Sequence, residues 1–155
     1  MKLGILAISR AKDGPEKRLW EMYLSRLPHL GSLHEFESRL PVGHQRLKDE
    51  SQKISDWFDV RAPKGARLVC FDPNGTDTSS ESLAFLLERW RDESVPAAYF
   101  AIGGPDGHHP DLLERAHRKL AFGTATWPHM LFRAMLVEQL YRAEMICAGH
   151  PYHRS

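Results

Sequence analysis

The 155-residue chain carries 21 Lys and Arg against 20 Asp and Glu, a formal net charge of +1, with 42% hydrophobic and 26% charged residues. That balance describes one domain, 1–155, able to bury roughly 70% of the surface its unfolded form exposes. It excludes a broadly basic nucleic-acid coat but leaves room for a local basic cleft, because the field at a cleft depends on distribution and not on the sum. Cys70 and Cys147, the only cysteines, lie far apart and make neither a disulfide framework nor zinc-finger spacing.

In chain order, Leu3 to Ile8 is a continuous apolar run, the pattern of a strand buried on both faces. The run is too short for a membrane span and lacks a signal-peptide cleavage site, so the expected compartment is a reducing cytoplasm. Pro15 and Glu16 open a helix with Leu19, Trp20, Tyr23, Leu24 and Leu27 on one face. Ser32 to Ser38 reads as a second strand with poor alternation. Leu47, Ser51, Ile54 and Phe58 recur at helical spacing, and the charged middle of that helix reads as a solvated face.

Leu68 to Phe71 is a third strand, leading into the turn sequence Asp72-Pro73-Asn74-Gly75. Thr78 and Glu81 read as a capping box before Leu83, Leu86, Leu87 and Trp90. Ala97 to Ile102 is a fourth buried strand, followed at once by Gly103-Gly104-Pro105-Asp106-Gly107. Pro110 or Asp111 starts a helix expected to carry Leu113, Ala116 and Leu120. The segment Phe122 to Trp127 precedes a last helix opened by Pro128 and running to about Met145. The alternation of strands and helices implies an α/β fold with a largely parallel sheet.

In such sheets ligands bind beyond the carboxyl ends of the strands. Three segments leave those ends here: Phe71 to Gly75, Gly103 to Pro110 and Phe122 to Trp127. The middle one has three glycines in five residues, so its backbone can approach a ligand closely. It lacks the Gly-x-Gly-x-x-Gly spacing of dinucleotide folds, and nothing in the chain matches a phosphate loop ending in Gly-Lys-Ser/Thr. Both observations argue against a nicotinamide oxidoreductase and a P-loop ATPase.

Six of the nine histidines follow residue 107. His150 and His153, with His108, His109 and Cys147, invite a metal reading, but Pro151 works against a helical i,i+3 presentation and no carboxylate flanks the pair closely, so no metal site is expected. His129, beside Pro128, fits a helix-start histidine that pairs with backbone. The tail Gly149-His150-Pro151-Tyr152-His153-Arg154-Ser155 gathers imidazoles, a phenol and a guanidinium, groups that move protons, stack on bases and hold phosphates.

Four motifs stand in order: Gly103-Gly104-Pro105-Asp106-Gly107, Thr126-Trp127-Pro128-His129, Glu138-Gln139-Leu140-Tyr141-Arg142-Ala143 and His150-Pro151-Tyr152-His153-Arg154. With Met1-Lys2-Leu3 and Phe71-Asp72-Pro73-Asn74-Gly75, they make nearly the whole chain resemble the ribosomal RNA large-subunit methyltransferase H family of the SPOUT class. The resemblance implies S-adenosylmethionine as cofactor and methylation of nitrogen 3 of a pseudouridine in large-subunit ribosomal RNA. It also implies the assembled ribosome as substrate, a homodimer with the target stem-loop at the subunit interface, and a C-terminal trefoil knot that general chain rules would not predict.

Carried onto this sequence, the cofactor contacts are Phe71, Gly103, Phe122, Gly123, Thr124, Ala125, Thr126 and Trp127. The catalytic candidates are His153 as base, Tyr152 as the residue that stacks on or orients the target, and Glu138. Arg142, Arg154 and His150 are the RNA-binding candidates. Glu138 and Arg142 also read as a plain i,i+4 ion pair, and the apolar surface of the last helix (Phe132, Met135, Leu136, Leu140, Met145) reads as either dimer or intrachain packing. The sequence departs from the family pattern at Thr76, where a basic residue is usual, and at His108-His109, where Leu-Ser is common. Gly123 stands for a usual serine, and Ala125 for a larger residue. The competing class is a non-enzymatic ribosome- or RNA-binding module, which would have no use for a cofactor pocket at the glycine segment.

Overall fold

The computed structural model describes residues 1–27 and 30–153. Ten elements alternate along it: β1 (Lys2–Ile8), α1 (Pro15–Leu24), β2 (Leu30–Phe36), α2 (His44–Arg61), β3 (Arg67–Asp77), α3 (Ser80–Asp92), β4 (Ala97–Ile102), α4 (Pro110–Arg115), β5 (Arg118–Ala121) and α5 (His129–Cys147). The strands form one five-stranded sheet in the order β2-β1-β4-β3-β5, and every pairing is parallel.

The apolar runs explain the layering. In β1, β3 and β4 successive residues point to opposite faces, and both faces are buried. Leu3, Ile5, Ala7, Val69, Phe71, Ala98, Phe100 and Ile102 meet α1, α3 and α5 through Trp20, Leu83, Leu87, Trp90, Leu136, Val137 and Leu140. Leu6, Ile8, Leu68, Cys70, Ala97, Tyr99 and Ala101 meet α2 and α4 through Ile54 and Leu112. Burial in this second layer pushes the Cys70 thiol up to about 12, so it stays protonated as a core side chain.

The structure corrects four expectations. The helix after Pro110 stops at Arg115, and Leu120 belongs to β5, a strand on the sheet edge. The spacing of Leu113, Ala116 and Leu120 mimics a helix, but Ala116 is extended (ψ 133) and Leu120 turns into the core. The α3 cap is Ser79, whose Oγ accepts from the Ser82 N–H at 3.1 Å. Thr78 is still paired to the sheet through its N–H and the Ala121 carbonyl. The Asp72-Pro73-Asn74-Gly75 turn is an excursion inside β3: pairing with β5 breaks after Phe71 and resumes at Thr76. A Cβ on Gly75 would lie 2.7 Å from the Leu120 backbone, so only glycine lets the two chains pass.

β2 lies two residues earlier than the sequence indicates. Most of the apolar surface of α5 is used within the chain: Leu136 and Leu140 are wholly buried, and Phe132 packs on Phe71 and Phe122. No helix of the described residues is long and apolar enough to cross a membrane.

Candidate cofactor cleft and substrate site

The carboxyl ends of β3, β4 and β5 open into a cleft with about 670 Å³ of empty space, including its open mouth. Its floor is Gly103, Gly104, Pro105 and Gly107. Its walls are Phe71, Asp72 and Pro73 on one side, and Phe122, Gly123, Ala125, Thr126 and Trp127 on the other. Seven of the eight cofactor residues inferred from sequence line it; Thr124 is exposed and does not. The glycine floor is required by geometry: a Cβ on Gly103 would come 2.5 Å from the Gly107 carbonyl oxygen, where the loop closes on itself through the Gly107 N–H and the Gly104 carbonyl. Phe71, Phe122 and Phe132 pack against one another in tilted and edge-on pairs, with ring centroids 4.9 to 5.4 Å apart, and form an aromatic base to the cleft. Trp127 donates its indole N–H to the Phe122 carbonyl at 3.0 Å, and the Gly123 N–H donates to Asp77 at 2.8 Å, so the outer loop is pinned at both ends.

His129 and Phe132, on the first turns of α5, also line the cleft. Neither was assigned to it from sequence. For His129 the signal was present, since it closes the Thr126-to-His129 motif, but a histidine beside a helix-start proline has a plain backbone role as well. Half-burial, helped by the Arg133 charge, holds its pKa below the usual value.

The remaining predicted site residues gather elsewhere. A second, larger groove with about 1090 Å³ of empty space runs between α1, the start of α3 and α5, and adjoins the cleft at Phe122 and Gly123. Glu138 and Glu81 line it. Tyr152 donates its hydroxyl to Glu138 Oε1 at 3.1 Å, and His153 Nε2 lies 2.9 Å from Glu81 Oε1. Arg142 pairs with the same Glu138 carboxylate and lies over the Tyr152 ring at 4.9 Å, while Tyr141 packs edge-on to that ring. His150 turns back on the tail, its Nδ1 accepting from the Tyr152 N–H at 3.2 Å.

Burial, the Tyr23 hydroxyl and the Glu138 carboxylate all push the Tyr152 phenol up, so it remains a donor. Hydrogen bonds from its own backbone and from Ser79, with a further one to His153, hold Glu81 below the usual carboxylate range. Glu138, Arg142, Tyr152 and His153 are therefore brought together, but none of them lines the cleft of its own chain. Arg154 lies outside the described residues.

His108 and His109 are buried beneath the glycine floor. The His109 N–H donates to Ser51 Oγ at 2.8 Å, and its ring caps α4 by accepting from Asp111. His108 Nε2 faces the Ala101 carbonyl at 3.3 Å, and burial pushes its pKa down to about 4. Both side chains are buried and offer little surface for RNA. Among the described residues, no three His, Cys, Asp or Glu side chains group as a metal site.

A family described as predicted SPOUT methyltransferase matches residues 1–153. The chain belongs to the SPOUT methyltransferase family. Among curated SPOUT relatives, a protein of Rhodospirillum rubrum named ribosomal RNA large subunit methyltransferase H is 46% identical over 157 residues, covering 100% of both chains. One of the same name from Nitrobacter hamburgensis is 45% identical over 163 residues, covering 99% of each. Among solved structures, a probable methylase family protein from Haemophilus influenzae superposes with a TM-score of 0.63 at 10% identity, covering 99% of this chain and 70% of that one. A putative Legionella pneumophila methyltransferase, solved with bound S-adenosylmethionine, gives a TM-score of 0.51 at 11% identity, covering 93% and 66%. At such identities these two likenesses speak for the SPOUT fold alone.

Proposed function

We propose that this SPOUT protein transfers the methyl group of S-adenosylmethionine to nitrogen 3 of a pseudouridine in large-subunit ribosomal RNA, on the assembled ribosome in the cytoplasm. The observation that carries the reading is the glycine-floored, aromatic-based cleft, lined by seven of the eight residues that the sequence resemblance assigns to the cofactor. The cradle suits a nucleoside cofactor: backbone groups of the Gly103 and Phe122–Trp127 segments would bond its base, and Phe71 and Trp127 would supply apolar walls. The bound cofactor supplies a methyl already activated on a sulfonium, so the protein has to align the acceptor nitrogen and take its imide proton.

The tail residues suit the second task. His153 accepts the proton as general base. Tyr152 stacks on or orients the base, and Glu138 holds the Tyr152 hydroxyl. Arg142, Arg154 and His150 meet the RNA backbone. Because these groups sit beside the adjoining groove and not on the cleft of their own chain, the reading includes a homodimer in which one copy's tail serves the other's cofactor. Leu19 and Leu131, exposed on α1 and α5 and lining that groove, supply apolar surface for the contact. A knot at α5 belongs to the same proposal.

Transfer of labelled methyl from S-adenosylmethionine to ribosomes that lack the modification tests the function, with the product base identified by mass. Label on nitrogen 3 of pseudouridine is expected, and absence of transfer to ribosomes and to free RNA alike overturns it. Calorimetry should show binding of S-adenosylmethionine with no comparable heat for ATP or NAD. Light scattering at micromolar concentration should give the mass of a dimer.

A further inference from the structure

Arg133, on the second turn of α5, is wholly buried. Its Nη1 donates to Glu35 Oε1 at 2.5 Å, and its Nη2 donates to the Ile8 carbonyl at 2.7 Å and to the Ser9 carbonyl. The guanidinium lies over the Trp20 indole at 5.0 Å, and Nε has no partner. A buried ion pair is a poor source of stability, because desolvation offsets much of the attraction. It does fix geometry, since the planar fork satisfies three acceptors in one orientation only.

What it fixes is next to the cofactor cleft on both sides. Arg133 follows Phe132 directly and lies one helical turn after His129, two residues of the cleft wall. The carbonyls it grips end β1. The Ile8 side chain there backs the glycine floor, its Cγ2 only 3.1 Å from where a Cβ on Gly104 would stand. Ser9 adopts φ 73, a left-handed conformation that a non-glycine residue holds only when its surroundings impose it. Glu35 completes the tie, its Oε1 also accepting the Ala11 N–H at 2.8 Å. Floor and wall are thus joined through one guanidinium that no ligand would touch.

We infer that Arg133 is a positioning residue for the cofactor: by clamping the start of α5 to the end of β1 it sets the separation of the His129–Phe132 wall from the glycine floor, and so the affinity for S-adenosylmethionine. The inference rests on the reading of the cleft as the S-adenosylmethionine site.

The full-length protein is titrated calorimetrically with S-adenosylmethionine, with thermal midpoints and ribosome methylation measured in parallel. The double variant Arg133→Met/Glu35→Gln removes both charges and keeps the acceptor for Ala11. It is expected to bind the cofactor about 10- to 100-fold more weakly, with cofactor KM raised to match and kcat at saturating cofactor within about threefold of the parent. Glu35→Gln alone keeps every hydrogen bond and loses only the charge, so a weakening of about threefold is expected. A folded double variant with parental affinity overturns the inference, whatever its thermal midpoint. If the double variant does not fold, Glu35→Gln decides by the same readouts, and unchanged affinity there overturns it. Failure of the parent itself to bind S-adenosylmethionine would instead overturn the reading of the cleft.

Discussion

The cofactor cleft and the tail cluster use opposite designs. The cleft is built from backbone, glycine and aromatic rings, and its shape is held from behind: Ser51 secures the loop at His109, Asp77 holds Gly123, and the Phe122 carbonyl holds Trp127. Its inner surface has few charged side chains to disengage, so a small molecule enters a preformed cradle. The tail cluster is the reverse. Tyr152, Arg142 and His153 are all engaged within the chain, with Glu138 and Glu81. An RNA acceptor that uses those groups has to exchange these partners for its own phosphates and base edges. Each of these contacts keeps an edge open to solvent, so water can take over the groups as they part and the exchange needs no rearrangement of the core. On the proposed reading, donor binding would depend on fixed shape and acceptor binding on replaceable contacts.

Breaking the two regions separately is the most direct test of that contrast. Deleting residues 150–155 should abolish methyl transfer in single-turnover assays while cofactor affinity stays within about twofold, since none of the described tail residues lines the cleft of its own chain. Near-parental methylation by the truncated protein would return the base to the body of the domain, with His129 and Glu138 the candidates. His153→Ala should slow the chemical step by roughly 10²–10⁴-fold with little change in cofactor affinity.

The opposite pattern is expected for Gly103→Ala. Its Cβ would collide with the Gly107 carbonyl, and a loop displaced by even 1 Å should weaken the cofactor by about 10- to 100-fold, as calorimetry would show. The smallest effect concerns pH. His108 is neutral in the fold with a pKa of about 4, against about 6.5 when unfolded. The unfolded chain then binds the extra proton between those values. Stability contributed by the neutral form is fully present above about pH 6.5 and is lost as pH falls towards 4, at up to about 1.4 kcal/mol per pH unit. His108→Leu should flatten that slope in urea unfolding measured at several pH values, leaving the tail cluster unaffected.

Local signals explain which parts of this arrangement the sequence discloses. Continuous apolar runs at Leu3–Ile8, Leu68–Phe71 and Ala97–Ile102 announce buried parallel strands, and the cleft follows because sheet geometry sends their carboxyl ends to one place. The edge strand Arg118–Ala121 gives no such announcement: two of its four residues are charged, as suits an exposed edge, and its leucine falls at helical spacing from the preceding turn. The cap of α3 moved from Thr78 to Ser79 because Thr78 is claimed by a pairing with Ala121 that no local pattern encodes. The tail was recognisable as chemistry, but its seat was not, since His153 meets Glu81 across 72 residues. Arg133 and Glu35, 98 residues apart, left no trace at all, each looking like an ordinary surface charge.

The strand order has a consequence in time. β4 is the centre of the sheet, flanked by β1 and β3, and its first partner to be synthesised is β1, joined to it from Lys2 opposite Ala97 onward. During synthesis at about 5–20 residues per second, the inner edge of β1 therefore waits several seconds or more for its neighbour. Until then a strand that is apolar beyond Lys2 has hydrogen-bonding groups on offer to any passing chain. Closing so long a loop against a parallel edge is slow, and the Phe122 and Phe132 parts of the cleft come later still. The nascent protein should accordingly acquire cofactor binding in one late step, after nearly all of its chain has been made, and the exposed edge of β1 marks where a chaperone would be needed before that step.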